Sequence, residues 1–166
     1  MEKKFELTDN FVINALGIKL FQIKCTKAFK NANEGDLGGY VEKEENLSQS
    51  GDAWVYGDAW VYGNAQVYGN AQVSGDARVS GDAWVSGDAR VENDHMHCGF
   101  DCFGSCNRHT HAYMTNENKV EIRCGCFRGS IEEFERKVKE THAGTIYEKQ
   151  YKAIINLIKI KFGIDG

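Results

Sequence analysis

Between Gly51 and Glu92 the chain reads GDAWVY GDAWVY GNAQVY GNAQVS GDARVS GDAWVS GDARVE, seven six-residue units without a gap. The first position is always Gly, the second Asp or Asn, the third Ala and the fifth Val. A period this strict marks a repeat architecture and outranks local propensity. Six is an even number, so strand alternation survives it, and Ala and Val, two apart, face the same side. Gly followed by Asp or Asn tolerates positive φ, so each hexad carries its own corner. A short flat segment plus a tight corner, repeated, winds into a prism with a small-residue interior. The invariant apolar positions set the tract apart from disordered low-complexity sequence.

The pattern V-x-G-[DN]-A-x resembles the hexapeptide signature of the left-handed β-helix family. Val55 and every sixth residue to Val91 hold its aliphatic place, and Ala53 and every sixth residue to Ala89 hold its small one. The resemblance implies three hexads per triangular coil, so seven make a little over two coils. The fold it implies is shared by acyltransferases, carbonic anhydrases and non-enzymatic proteins, so it specifies architecture far more than activity.

The remaining chain is read around this prism. Eighteen Gly and no Pro suit a turn-rich β structure. Residues 4–24 hold FEL, FVINAL and IKLFQIK, broken by Gly17, which predicts two short strands and a turn. Counting back in sixes from Gly51 gives ENLSQS and GYVEKE, with Leu47 and Val41 at the Ala place as degenerate early hexads. A prism end exposes strand edges and an open bore, so residues 1–38 are expected to form an N-terminal β cap. The prism then spans 39–92, and a C-terminal domain spans 93–166.

The outward positions of the hexads vary. At the fourth place stand Trp54, Trp60, Gln66, Gln72, Arg78, Trp84 and Arg90; at the sixth stand Tyr56, Tyr62 and Tyr68, then three Ser, then Glu92. Exposed Trp and Tyr in such number mark a covered surface. Trp54, Tyr56, Trp60, Tyr62, Tyr68, Arg78, Trp84 and Arg90 are therefore the candidate binding residues. The cover is the chain's own cap, a sister subunit in a homo-oligomer, or a foreign partner.

After Glu92 the composition changes. His95, His97, Cys98, Cys102, Cys106, His109 and His111 crowd into a short stretch, and Cys124 and Cys126 follow. Thiolate and imidazole are preferred zinc ligands, so these seven residues are candidate ligands. Their spacing matches no knuckle, and no C-x2-C pair exists; buried thiols acting as small apolar residues are the more frequent case. If Cys124 and Cys126 share a strand, they share a face. Strands are expected over 110–115 and 119–127, with a turn at 116–118. Two helices follow, opened by the capping boxes Ser130-Ile-Glu-Glu133 and Thr145-Ile-Tyr-Glu148 and separated by Gly144. Glu132/Arg136, Glu133/Lys137 and Glu135/Lys139 are spaced as ion pairs on the wet side of the first. Tyr147, Tyr151, Ile154, Ile155, Ile158 and Phe162 line the apolar side of the second, and the two pack as an αα-hairpin.

GDLGGYVEKEENLS leading into hexads, then CGCFRGSIEEFERKVKETHAG and a Tyr-bearing last helix, resembles hexapeptide-repeat, polymer-forming proteins of phages and prophages of low-GC Gram-positive bacteria. The fold class expected is thus mainly β: a short left-handed β-helix with an N-terminal β cap and C-terminal β-strands plus an αα-hairpin. Net charge is −4, and neither the acidic hexads nor the mildly basic 119–166 segment forms the concentrated basic face that direct nucleic-acid binding wants. MEKKFELTDN has no apolar signal core and no stretch reaches the length of a membrane span, which places the chain in the cytoplasm of the bacterial host, away from membranes.

No hexad contains His, and no long loop interrupts the repeats to build an acceptor pocket. The function expected is therefore a non-enzymatic protein-binding module without catalytic residues or a required cofactor. The phage resemblance implies a host or phage protein as partner, such as a host defence nuclease that the protein inhibits. The alternatives are an acyl-CoA-dependent acyltransferase and a self-assembling structural protein.

Overall fold

The computed structural model describes residues 2–164 and divides after Asp94 into two compact units. In the first, seven two-residue strands follow one another, one per hexad: β4 (Trp54–Val55), β5 (Trp60–Val61), β6 (Gln66–Val67), β7 (Gln72–Val73), β8 (Arg78–Val79), β9 (Trp84–Val85) and β10 (Arg90–Val91). They are preceded by β1 (Phe5–Ile13), β2 (Lys19–Cys25) and β3 (Leu37–Val41). Every pairing between hexads is parallel and joins residues eighteen apart. Trp54 lies beside Gln72 and Gln72 beside Arg90, Trp60 beside Arg78, and Gln66 beside Trp84. Three hexads therefore make one coil, and the ladders form three separate parallel stacks, as a β-solenoid requires.

The interior follows from the repeat. All seven Ala and all seven Val are at most 3% exposed, and each fully buried Val contributes about 1.5–3 kcal/mol. The seven hexad Gly have φ between 56° and 72°, the left-handed region that a corner needs and that a side chain resists. At the corners, Asn64 donates to Asp82 at 3.0 Å and Asn70 to Asp88 at 3.2 Å. Alternating Asn with Asp thus turns two columns of like charge into hydrogen bonds.

Apart from the bonds within the strand pairs, the hydrogen bonds between coils point one way: the N–H of residue i donates to the carbonyl of residue i+17, as in Trp54 to Ala71, Trp60 to Ala77 and Gln72 to Ala89. The first coil is left with carbonyls to satisfy. Tyr40, Glu42 and Ser48 donate backbone N–H groups to Ala59, Val61 and Val67. The Asn46 carboxamide donates to Ala65 at 2.8 Å and Gly63 at 3.2 Å, and the Lys4 ammonium donates to Ala53 at 2.8 Å. At the other end an N–H lacks its carbonyl, and the Asp94 carboxylate accepts from Arg78 N at 2.7 Å.

Val41 pairs with Val61, and Leu47 with Val67. Both early residues therefore hold the Val place, not the Ala place that counting back in sixes assigns. That turn is two residues longer than the rest, with the extra residues between Leu47 and Val55. A slip of two keeps the same side chains inward, so the apolar pattern could not reveal it. β1 and β2 form the expected antiparallel hairpin around Gly17, and β2 pairs with β3, so β1-β2-β3-β5-β8 is one continuous sheet.

The second unit is an antiparallel meander of β11 (His97–Phe103), β12 (Arg108–Met114), β13 (Val120–Cys124) and β14 (Phe127–Ser130), followed by α1 (Ile131–His142) and α2 (Ile146–Phe162). Ala112, Ile122, Phe134, Tyr151, Ile154 and Ile158 share its core. The single strand expected over 119–127 is instead a hairpin. Gly125 at φ 60° begins a two-residue turn, as a tight hairpin connection demands.

Ser130 and Glu133 form the full capping box; at Thr145 the hydroxyl caps Glu148 N–H, while the Glu148 carboxylate reaches back to Gly144 N–H. The expected pairs along α1 give way to stronger local claims: Glu133 accepts from Ser130 N–H, and Glu135 pairs with Lys159 of α2 at 2.7 Å. Among the described residues no helix is long and apolar enough to cross a membrane.

Two expectations follow. A Cβ on Gly39 would lie 2.7 Å from both the Ala59 carbonyl oxygen and Val55 Cγ1, so Gly39→Ala should lower stability by about 1–3 kcal/mol in urea unfolding. Lys4 is 6% exposed, and burial lowers its ammonium to about 8, with Asp52 opposing. From that value up to the ordinary 10.5 the unfolded chain binds more protons, so stability rises with pH. The stability of the natural protein relative to Lys4→Met should therefore grow by about 1–3 kcal/mol between pH 7 and 10. A pH-independent difference in paired urea melts would show Lys4 to be solvated.

Candidate functional site

The outward residues of the hexads do not share one surface; the eighteen-residue coil distributes them over three. On the β4-β7-β10 face, Trp54 is 1% exposed and packs edge-on against Phe5 and Phe29, at 6.3 and 5.5 Å between ring centroids. Trp54 is thus a core residue, not a contact. Burying its indole against the N-terminal chain removes far more apolar surface from water than leaving it on the ladder. Tyr56, next to it, donates its hydroxyl to the Asn31 carbonyl, and burial raises its pKa. Gln72 and exposed Arg90 continue this face, and Arg90 pairs with Glu92 at 2.6 Å.

On the β5-β8 ladder, Trp60 is half-buried and Arg78 lies over its ring, the guanidinium carbon 4.5 Å from the centroid. This cation–π pair is the direct product of hexads three apart carrying Trp and Arg at the same place. Half-buried Tyr62 ends the same hexad.

On the β6-β9 ladder stand Gln66 and Trp84, which is 39% exposed, with Tyr68 half-buried beside them. An open groove of about 600 Å³ adjoins this ladder, lined by Glu44, Glu45, Ser48, Gln49, Gln66 and Tyr68. Sequence reasoning missed its acidic and carboxamide wall. Only the register of Leu47 against Val67 brings residues 44–49 beside the hexads, and the longer turn hid that register.

The histidines and cysteines of the second unit are sorted by strand alternation onto opposite faces. His97 pairs across strands with Tyr113, and His111 with Arg123, so these side chains share a face. On it His97 Nδ1 and His111 Nε2 are 3.0 Å apart, His109 Nδ1 meets Asp101 at 2.5 Å, and Tyr113 donates to Glu121, which also pairs with Arg128 at 2.6 Å. His111 and Tyr113 are buried.

Cys98 turns the other way, toward the helix-packed core, where burial pushes its thiol up to about 11. Cys102 and Cys106 are exposed on either side of the tight turn at Gly104, and His95 is exposed ahead of β11. The seven candidate ligands are therefore divided: His97, His109 and His111 lie side by side, the His109 and His111 ring centroids 5.6 Å apart, while His95 and the three thiols lie elsewhere. Among the described residues no three His, Cys, Asp or Glu side chains gather to hold an ion. Cys124 is buried and accepts from the Thr110 hydroxyl at 3.3 Å, whereas Cys126, in the turn, is exposed. The hairpin separates the two thiols that one strand would have kept together.

Residues 71–87, just under one coil, match the family model described as the YdcK beta solenoid repeat. The chain thus carries a β-solenoid repeat, in agreement with its ladders. No curated protein matches it.

Thiol reactivity follows from this layout. At pH 8 an aromatic disulfide reagent should titrate Cys102, Cys106 and Cys126 quickly in the native protein. Cys25 and Cys124, which are buried, should react only after unfolding in guanidinium because the reagent cannot reach them, and half-buried Cys98 should behave likewise because burial raises its pKa and a protonated thiol is a poor nucleophile. Rapid reaction of all six would mean that the core around Cys98 opens readily.

Proposed function

We propose that this chain is a non-enzymatic interaction protein whose solenoid presents outward aromatic side chains to a protein partner. In this reading the coil is the left-handed β-helix of the hexapeptide resemblance, and the expected N-terminal cap, residues 1–38, covers its first turn. The observation that carries the proposal is the state of Trp60 and Trp84. Neither fills the interior, which Ala and Val complete, yet each is held on a parallel ladder whose strands repeat about every 4.8 Å. Large aromatic groups on a backbone that cannot rearrange lose little entropy on binding and make effective anchors. Arg78 over Trp60 and the acidic groove beside Tyr68 supply polar rims of opposite sign.

The phage and prophage resemblance points to a host protein, in particular a defence nuclease, as the partner. Acyl transfer finds less support, because no hexad carries a histidine base and the imidazoles belong to the second unit. The reading invokes no cofactor.

Affinity capture from host lysate with the tagged protein and with Trp60→Ala/Trp84→Ala tests this directly. One host protein should accompany the natural chain in stoichiometric amount and fall by about tenfold or more with the variant, since anchor truncation typically costs 2 kcal/mol or more. The variant should melt within a few degrees of the natural protein, as surface truncations do. Equal capture by both proteins, or recovery of the bait alone, would overturn the reading.

A further inference from the structure

α2 carries two apolar stripes, and only one of them has a use inside the unit. Tyr151, Ile154, Ile155 and Ile158 are buried against the sheet and α1. The second stripe lies about a third of a turn round the helix at 100° per residue. It comprises Ile146, Ala153, Leu157 and Ile160, with exposures of 59%, 51% and 68% for Ile146, Leu157 and Ile160. Scattered surface leucines need no explanation, but these fall at intervals of seven, four and three. That is the a/d repeat of a helix–helix seam, where each side chain enters a hole on a facing helix. The seam spans about 21 Å at 1.5 Å per residue.

Its borders carry one sign of charge. Lys149 flanks one side and Lys161 the other, both exposed, and Lys152 lies beyond Lys149 with Glu148 at 2.6 Å. A second copy of α2 makes a poor occupant. An antiparallel pair sets each border against its own counterpart, Lys149 on the side of Lys149 and Lys161 on the side of Lys161; a parallel pair sets the Lys149 border against the Lys161 border. Opposed e and g charges are what select a partner in such seams.

We propose that the outer stripe of α2 docks an amphipathic helix with acidic borders, contributed by a partner protein. This inference rests on the second unit alone and stands apart from the solenoid reading; Trp60→Ala/Trp84→Ala should leave it untouched.

The probe is a fluorescein-labelled three-heptad peptide with Leu at a and d and Glu at e and g, whose own like charges keep it monomeric. Its counterpart has Lys at e and g. Anisotropy titrations with the full chain should show saturable micromolar binding of the Glu peptide, weakening as salt is raised. Binding should fall by about tenfold or more for the Lys peptide and for Leu157→Gln/Ile160→Gln. Should that variant melt early, Lys149→Glu/Lys161→Glu, which touches only exposed groups, should reverse the preference toward the Lys peptide. Absence of saturable binding, equal binding of both peptides, or a preference that the charge reversal leaves unchanged would overturn the proposal. So would a dimer in sedimentation that Leu157→Gln/Ile160→Gln dissolves, or binding to phosphatidylglycerol–phosphatidylcholine vesicles in place of the peptide.

Discussion

The first unit depends on the parallel hydrogen-bond ladders that join each coil to the next. Apart from the bonds within the strand pairs, each coil donates N–H groups to the carbonyls of the next, so the two ends of the stack are chemically unlike. Those bonds leave carbonyls to satisfy at one end and N–H groups at the other, and a buried peptide group left unpaired costs about 1–3 kcal/mol. The chain answers with matching chemistry. Ammonium, carboxamide and backbone N–H groups meet the first coil's carbonyls, and the Asp94 carboxylate meets an N–H of a late coil. The lowered pKa of Lys4 is the electrostatic consequence, since a charged donor must leave water to reach Ala53.

The same ladder makes identical repeat positions behave differently. Trp54, Trp60 and Trp84 all occupy the fourth place of a hexad, yet one is core, one lies under an arginine and one stands at the surface. What differs is the neighbour supplied by the rest of the chain. Phe5 and Phe29 reach the first coil on one ladder only, and Arg78 reaches Trp60 because three hexads close a coil. A rigid lattice with unequal covering is suited to presenting a few anchors while hiding others.

The second unit shows a parallel economy of faces. The meander's alternation sends Ala112, Ile122 and Cys124 to the helices and His97, His111 and Tyr113 to the opposite side. Polar groups there pair with each other, as His97 with His111 and Tyr113 with Glu121. A run of ligand-type residues in sequence is thereby divided between the two faces of the sheet and its exposed turn.

The sequence by itself determined the repeat, its inward Ala and Val, the corner glycines, the N-terminal hairpin and the starts of both helices. Each of these rests on contacts within a few residues, or on a period that every hexad repeats. Tertiary structure decided what short range cannot encode. It set the longer turn around residues 48–54, because a slip of two preserves the apolar alternation. It buried Trp54, because burial of an indole depends on which distant chain covers it. It broke the expected strand at Gly125 and so parted Cys124 from Cys126. It also left the outer stripe of α2 bare, because a helix rich in isoleucine on two sides can turn only one of them to its own core.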